Sequence, residues 1–279
     1  MKIKYLGTAA AEGLPALFCD CDLCEKARKL GGKEIRTRSQ SVIDDNLLID
    51  FPADTYLHVL RNDLELHKIH NLIITHFHAD HFYQQDLLNR GRGYSHLKDN
   101  RPFNVYAPST VVKMIKEGQY KDSFENMQKD DLLYVHEIEP FKSFCIDEYK
   151  ITPLKADHAY GTTAVFYVIQ KGEQALLYGH DTGYFPEESW EWLKKSGLCF
   201  DYVSLDCTYG LLVKRENHMG IDAVNEVKED MKKFGLINDK SIVCINHFSH
   251  NINSTHEELT EAAKKRGMIC SYDGMEVEF

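Results

Sequence analysis

The sequence predicts an α/β protein made of two β-sheets sandwiched by helices in one domain. Three observations predict it. Short apolar and β-branched runs outnumber segments of helical period, and the helical segments separate sets of strands. No linker, repeat or low-complexity stretch divides the 279 residues, a length with ample room for a core. Several predicted strands run straight into a histidine or an aspartate.

Taken in order, Ile3 to Leu6 reads as a first strand ended by Gly7. Thr8 to Phe18 is small and loop-like. Cys19-Asp20-Cys21-Asp22-Leu23-Cys24 leads into a short helix through Leu30, which Gly31-Gly32 breaks. Ser41-Val42-Ile43 and Asn46 to Asp50 read as strands around an Asp44-Asp45 turn. Ala53 to Leu60 has helical spacing. Leu72 to Thr75 is a buried strand, followed at once by His76-Phe77-His78-Ala79-Asp80-His81, and Phe82 to Asn89 looks helical. Phe103 to Tyr106 is a strand, and Pro108 starts a helix through Lys116. Leu132 to Ile138 and Tyr149 to Leu154 alternate as strands, the second leading to His158. Ala164 to Gln170 and Ala175 to Tyr178 form a hairpin around Gly172, and its second strand delivers Asp181. A helix from Pro186 to Lys195 and a strand from Asp201 to Asp206 follow. Glu216 to Gly220 is a polar loop before a helix from Ile221 to Phe234. Ser241 to Ile245 is a buried strand leading to Asn246-His247-Phe248-Ser249-His250. Ser254, with Glu257 three residues on, caps a helix to about Lys265, and Met275 to Phe279 is the last strand.

Composition narrows the function. A formal charge of −10 argues against a nonspecific nucleic-acid binder, which needs a basic face. It leaves room for a small anionic substrate, because bound divalent cations reverse the local field. The N-terminal residues carry no apolar run of the kind a signal peptide or a membrane span needs, so a cytoplasmic location is the default expectation. Three of the eight cysteines are clustered and five are scattered, unlike a disulfide framework.

The chemistry is concentrated in His76-x-His78-x-Asp80-His81. Imidazoles and carboxylates are the ligands of zinc, manganese, nickel and iron. His158, Asp181 and His247 follow other predicted strands. If these strand ends meet at one edge, five histidines and two aspartates are enough for two metals with open positions. Cys19, Cys21 and Cys24 suit a structural zinc but supply only three ligands, so a fourth must come from elsewhere; thiol redox chemistry is the rival reading. Asp50 and Asp206 are candidates to orient ligand imidazoles.

On these residues the sequence resembles the metallo-β-lactamase superfamily, and within it the PhnP-type phosphodiesterases, which act on a 1,2-cyclic phosphate of phosphorylated ribose. The likeness runs nearly end to end. It takes in the Cys19-x-Cys21-x-x-Cys24 insert, Thr75 to His81, Pro153-Leu154 before His158, Asp181-Thr182, Asp206-Cys207, Asn217-His218, His247-x-x-His250 and Asp273-Gly274-Met275-Glu276. The resemblance implies a four-layer αββα sandwich over 1–279, with the cysteine insert at about 19–24. It implies a first catalytic metal on His76, His78 and His158, a second on Asp80, His81 and His247, and Asp181 bridging them. It completes the structural zinc with His250. It gives Asp80 and His218 catalytic roles, His218 as the acid for the leaving oxygen, and it implies a homodimer. The function expected is hydrolysis of a small phosphodiester, the cyclic form included, by a metal-activated hydroxide. The alternatives are hydrolysis of another ester such as a lactone, a nonhydrolytic metal-binding module, and tRNA 3′-end processing, which the chain's acidity disfavours. The segments Gly91 to Arg101 and Glu117 to Asp131 depart from the family pattern and are expected to lie around the pocket.

Overall fold

The structure, a computed structural model, describes residues 1–98 and 101–279. Two seven-stranded sheets face one another. The first contains β1 (Lys2–Gly7), β2 (Gln40–Ile43), β3 (Leu47–Ile49), β4 (Asn71–Ile73), β5 (Phe103–Pro108) and β6 (Leu133–Ile138). The second contains β7 (Phe144–Ile146), β8 (Tyr149–Lys155), β9 (Val165–Lys171), β10 (Gln174–Gly179), β11 (Tyr202–Asp206), β12 (Ile242–Asn246) and β13 (Ile269–Cys270). The last strand, β14 (Glu276–Glu278), returns to the first sheet beside β1.

Both sheets share a plan. β3 to β6 are parallel, as are β10 to β13, while β1 to β3 and β7 to β10 pair antiparallel. The inner parallel strands β4, β10, β11 and β12 are mostly apolar and buried because both of their faces are covered, whereas β6 at the sheet edge exposes His136 and Glu137. Ile3, Ile43, Ile49 and Ile73 meet Ile151, Tyr167, Leu176 and Tyr178 between the sheets. The buried tyrosines there find partners across the gap. Tyr5 Oη lies 2.7 Å from Ser204 Oγ, and Tyr167 Oη donates to the Ile74 carbonyl at 2.6 Å. Each hydroxyl so satisfied avoids a desolvation cost of about 1–3 kcal/mol.

The outer layers are helical. On the second sheet lie α1 (Asp22–Leu30), α6 (Glu187–Lys195), α7 (Ile221–Lys233) and α8 (His256–Lys265). On the first lie α2 (Thr55–Arg61), α3 (Gln84–Leu87), α4 (Ser109–Glu117) and α5 (Lys121–Lys129). This is the four-layer αββα sandwich. No helix among the described residues is long and apolar enough to cross a membrane.

Three details differ from the sequence reading. The helix expected over Phe82 to Asn89 shrinks to α3 and a 3₁₀ turn, because Phe82 bridges Phe51 and the Tyr83 amide donates to the Phe51 carbonyl. The capping box before α8 is Thr255 with Glu258, one residue beyond the expected pair, while Ser254 Oγ donates to the Ile252 carbonyl. The short strands β7 and β13 carry no pattern of their own and exist through pairing with β8 and β12. The two segments outside the family pattern do not line the pocket, contrary to expectation: none of their described residues borders the cavity at the strand ends, and Glu117 to Asp131 contains α5, which buries Phe124 and Met127 against the first sheet. Within Gly91 to Arg101, Asp99 and Asn100 lie outside the described residues.

Candidate metal centre

The loop after β4 is wound tightly. The amides of His81 and Phe82 both donate to the His78 carbonyl, at 2.9 and 2.8 Å. The Phe51 amide then donates to the His81 carbonyl at 2.7 Å, which ties this loop to the segment after β3. The folded loop brings His76, His78, Asp80 and His81 into one volume. The C-terminal ends of β8, β10 and β12 bring His158, Asp181 and His247 to the same edge. Asp50, Asp181 and His247 have positive φ angles of 64°, 49° and 64°. Non-glycine residues held there cost on the order of 1–3 kcal/mol each and concentrate at functional sites.

Two ligand sets share one carboxylate. His76 Nε2 lies 2.9 Å from His78 Nδ1, which lies 3.1 Å from His158 Nε2. His81 Nε2 lies 3.3 Å from His247 Nε2 and 3.3 Å from Asp80 Oδ2. Asp181 reaches both groups, with Oδ1 3.7 Å from His158 Nε2 and Oδ2 3.0 and 3.2 Å from His81 and His247 Nε2.

The proton positions explain why this arrangement fits divalent metals. His81 Nδ1 donates to Asp50 Oδ2 at 2.7 Å, leaving Nε2 as a lone pair. His247 Nδ1 lies 2.8 Å from Thr208 Oγ1, whose own proton goes to Asp206 Oδ2 at 3.0 Å, so His247 also presents Nε2 as a lone pair. Asp181 Oδ2 faces both lone pairs, is buried and makes no well-aligned hydrogen bond among the described residues. Three electron-rich atoms at 3.0–3.3 Å repel one another unless a cation lies among them. The titration shifts show the same demand for positive charge, which a proton on His81 meets when no cation does. Burial lowers His81, but the carboxylates of Asp181, Asp80 and Asp50 outweigh it and raise His81 well above the imidazole range. Burial holds His76, His78 and His158 below that range, the neutral form a ligand needs.

Beside this cluster, Asp206 collects the loop that carries His218. Its carboxylate accepts the Met219, Thr208 and Asp181 amides at 3.0–3.1 Å and His218 Nδ1 at 2.9 Å. Burial lowers His218, but the adjacent Asp206 carboxylate outweighs it and raises the imidazole to about 9. With Nδ1 so engaged, Nε2 is the ring nitrogen without a hydrogen bond among the described residues. The His218 ring lies 4.7 Å from that of His158 and 5.7 Å from that of His247.

Cys19, Cys21, Cys24 and His250 form a separate group whose ligand atoms all lie within 4.8 Å of one another. His250 Nδ1 is 3.8 Å from both Cys21 and Cys24 Sγ. A tetrahedral zinc site with ordinary bond lengths has S···N edges of about 3.6 Å, so the spacing fits that ion. His247 and His250 serve different clusters from one loop. All eight cysteines are free.

The centre opens into a cavity of about 930 Å³. Sequence reasoning missed several of its features. Asn217 accepts the His158 Nδ1 proton through its backbone carbonyl at 3.2 Å, and a carbonyl carries no sequence signal. Thr75 and Thr208 hold the carboxylates of Asp50 and Asp206; Thr75 stands in the Thr75 to His81 motif, whereas Thr208 follows the Asp206-Cys207 pair and lies outside it. Arg38 and Tyr209 line the cavity from loops distant in sequence.

A two-sheet, helix-flanked sandwich with a histidine and aspartate cluster at its strand ends defines a metal-dependent hydrolase class. Residues 46–244, well over half of the chain, match the family described as the β-lactamase superfamily domain. The chain belongs to the metallo-β-lactamase superfamily. It is similar to ribonuclease Z of Thermoplasma acidophilum, 27% identical over 121 residues, which are 42% of this chain and 36% of that protein. Ribonuclease Z of Methanococcus maripaludis is 28% identical over 116 residues, 42% of this chain and 32% of that protein. The chain thus matches about a third of the length of these curated relatives. Among solved structures, a diphosphatase from the PhnP family superposes with a TM-score of 0.70 at 22% identity, covering 100% of this chain and 97% of that one. Zinc-bound PqqB from Methylobacterium extorquens gives 0.69 at 17% identity, with both chains covered fully. At these identities the structural likeness shows the fold.

Proposed function

We propose that this chain is a single-domain, dinuclear-metal phosphodiesterase that hydrolyses a small phosphodiester. The observation that carries the reading is the Asp181 carboxylate shared by two ligand sets, with His218 held beside them by Asp206. His76, His78 and His158 would hold one divalent cation, Asp80, His81 and His247 the other, and Asp181 would bridge them. Zinc, manganese, nickel and iron all suit this donor set. Two such cations, when bound, supply Lewis acidity and a water acidic enough to react near neutral pH. Asp80 accepts a hydrogen bond from the attacking water and fixes its direction. His218, protonated at Nε2, donates that proton to the departing oxygen as the P–O bond breaks, and Asp206 then stabilises the imidazole tautomer left behind. The phosphodiester preference is supported by the acid: a poor alkoxide leaving group gains most from it. The cysteine insert with His250 would hold a structural zinc, and eight free cysteines suit a reducing, cytoplasmic setting.

The similarity to ribonuclease Z favours a second reading, cleavage of RNA. The net charge of −10 weighs against it, since a long polyanion needs a basic track. The test is turnover of a panel by metal-reconstituted protein: a cyclic ribose phosphate, a linear dinucleotide, a structured tRNA precursor and a lactone. Small diesters are expected to be hydrolysed, and His218→Ala to lower kcat by about 10²–10⁴-fold. Turnover confined to the lactone, or an unchanged His218→Ala, refutes the proposal. Turnover confined to the tRNA precursor favours the second reading.

A further inference from the structure

The loop that presents His218 also presents an aromatic ring to the cavity, and nothing in the hydrolytic chemistry accounts for it. Tyr209 is 36% exposed, yet it lines the cavity beside Leu212 and Ile252. Its ring centroid lies 6.4 Å from that of His218, with the planes at 41°. No hydrogen bond of its hydroxyl is formed among the described residues.

The ring is not a loose surface group. Its amide donates to the Met219 carbonyl at 3.0 Å, next to His218. Its carbonyl accepts from the Leu212 amide at 2.8 Å. The following residue, Gly210, has φ 49° and lies against Ile252 so closely that a Cβ there would stand 2.7 Å from Cδ1. Backbone conformation and packing therefore set where Tyr209 begins. A rigid, half-exposed aromatic ring at a pocket wall is a stacking platform, and Tyr209 carries the Lys214 ammonium over its ring, 5.7 Å from the centroid, a cation that suits an anionic ligand.

Its position assigns what it stacks on. Nδ1 of His218 is engaged by Asp206, so Nε2 alone can reach a reacting oxygen. The oxygen it protonates is the one that leaves. Whatever is attached to that oxygen continues past His218, along the wall formed by Tyr209, Leu212 and Ile252. The cavity, at about 930 Å³, is large enough for a ligand of nucleotide size.

We propose that Tyr209 is a specificity-determining residue that stacks on a planar heterocycle carried by the leaving group, so that the preferred substrates are phosphodiesters whose departing alcohol is a nucleoside. This deepens the phosphodiesterase reading and rests on it. Water adds to phosphorus, the P–O bond to the nucleoside breaks, and the departing oxygen takes the His218 proton to give the free alcohol.

The experiment uses two esters with the same alkoxide leaving position: methyl adenosine 5′-phosphate, and its abasic analogue, methyl ribose 5-phosphate with a methoxy group at C1. Stacking of one base is worth about 1–3 kcal/mol, so the wild type should favour the nucleoside ester about 5- to 150-fold in kcat/KM. Tyr209→Phe keeps the ring and should keep this ratio. Tyr209→Leu keeps apolar bulk without the ring and should bring the ratio to near one. Binding of the corresponding phosphonates, in which a methylene replaces the 5′ oxygen so that no P–O bond to the nucleoside is left to break, should follow the same order by calorimetry. A wild-type ratio near one, or a ratio that Tyr209→Leu leaves unchanged, overturns the assignment while leaving phosphodiester hydrolysis standing. A wild type that hydrolyses neither ester nor any other diester, yet binds the nucleoside phosphonate in a Tyr209-dependent way, overturns the hydrolytic reading and leaves the stacking site.

Discussion

Asp50→Asn tests whether the carboxylate behind His81 sets the metal site. Asp50 is fully buried. Its Oδ2 accepts His81 Nδ1–H at 2.7 Å, while its Oδ1 accepts the Thr75 amide at 2.8 Å and the Thr75 hydroxyl at 3.0 Å. A carboxylate accepts at both oxygens. An asparagine must turn its NH₂ toward one side, so a donor faces either the His81 N–H or the Thr75 amide. A hydrogen bond to a charged group contributes about 1.5–3 kcal/mol, and losing it lowers affinity by about 10- to 150-fold. Direct replacements of such groups behind metal-bound histidines cost about 10–100-fold. The assay is competition with a chromogenic chelator, starting from metal-depleted protein. One of the tighter equivalents should weaken by about 10–100-fold in Asp50→Asn, while the equivalent assigned to Cys19, Cys21, Cys24 and His250 stays unchanged. Equal weakening of every equivalent would indicate a general loss of fold. Unchanged affinity at the His81 side would refute the reasoning outright.

Three other outcomes are expected. Cys21→Ser should remove one equivalent of zinc by elemental analysis and lower Tm, with the loss of zinc directly tied to the insert; full zinc retention sinks the structural site. His58 is buried, with Nδ1 donating to Gln40 Oε1 at 2.6 Å, and burial pushes it down to about 4. The unfolded chain therefore binds a proton below about pH 6.5 that folded His58 refuses. Stability is fullest above pH 6.5 and falls as pH drops toward 4. Relative to wild type, His58→Gln should lose about 2.5 kcal/mol less between pH 7 and 4.5 in urea unfolding, and parallel pH profiles would contradict this. Gly220→Ala places a Cβ 1.8 Å from the Leu212 carbonyl oxygen, whereas at Gly172, in the β9–β10 turn, the added Cβ meets no atom within 4 Å. Gly220→Ala should cost about 1–3 kcal/mol and reduce turnover by shifting the His218 loop. Gly172→Ala should cost only the strain of its positive φ and leave turnover intact, and equal activity losses would refute this reading of the loop.

The legible parts of the molecule were those in which the information is local. β4 and its loop can be read because four apolar or β-branched residues, Leu72 to Thr75, precede ligands at short spacing, and local chain geometry allows such a cluster to converge. The long strands and α1, α6 and α7 can be read because burial on a known face imposes a period. α8 slipped by one residue because Ser254-x-x-Glu257 and Thr255-x-x-Glu258 are equally good caps on paper. Only the packed chain shows that Ser254 turns to the Ile252 carbonyl. α3 was overestimated because its first residues are held by pairing with Phe51, a contact 31 positions away from Phe82.

The sequence by itself determined the layered α/β class, the kinds of ligand atoms, and through its motifs the superfamily. Those follow from residue types and short spacings, which physical chemistry ties to strand, helix and metal affinity. Only the tertiary structure decided that Asp181 faces both ligand sets and that Asp206 serves His218 more closely than His247. It also decided that Tyr209 stands at the cavity wall. Each depends on where strand ends from both sheets meet and on which hydroxyl or amide already occupies a carboxylate, and such competition for partners is set by the packed whole.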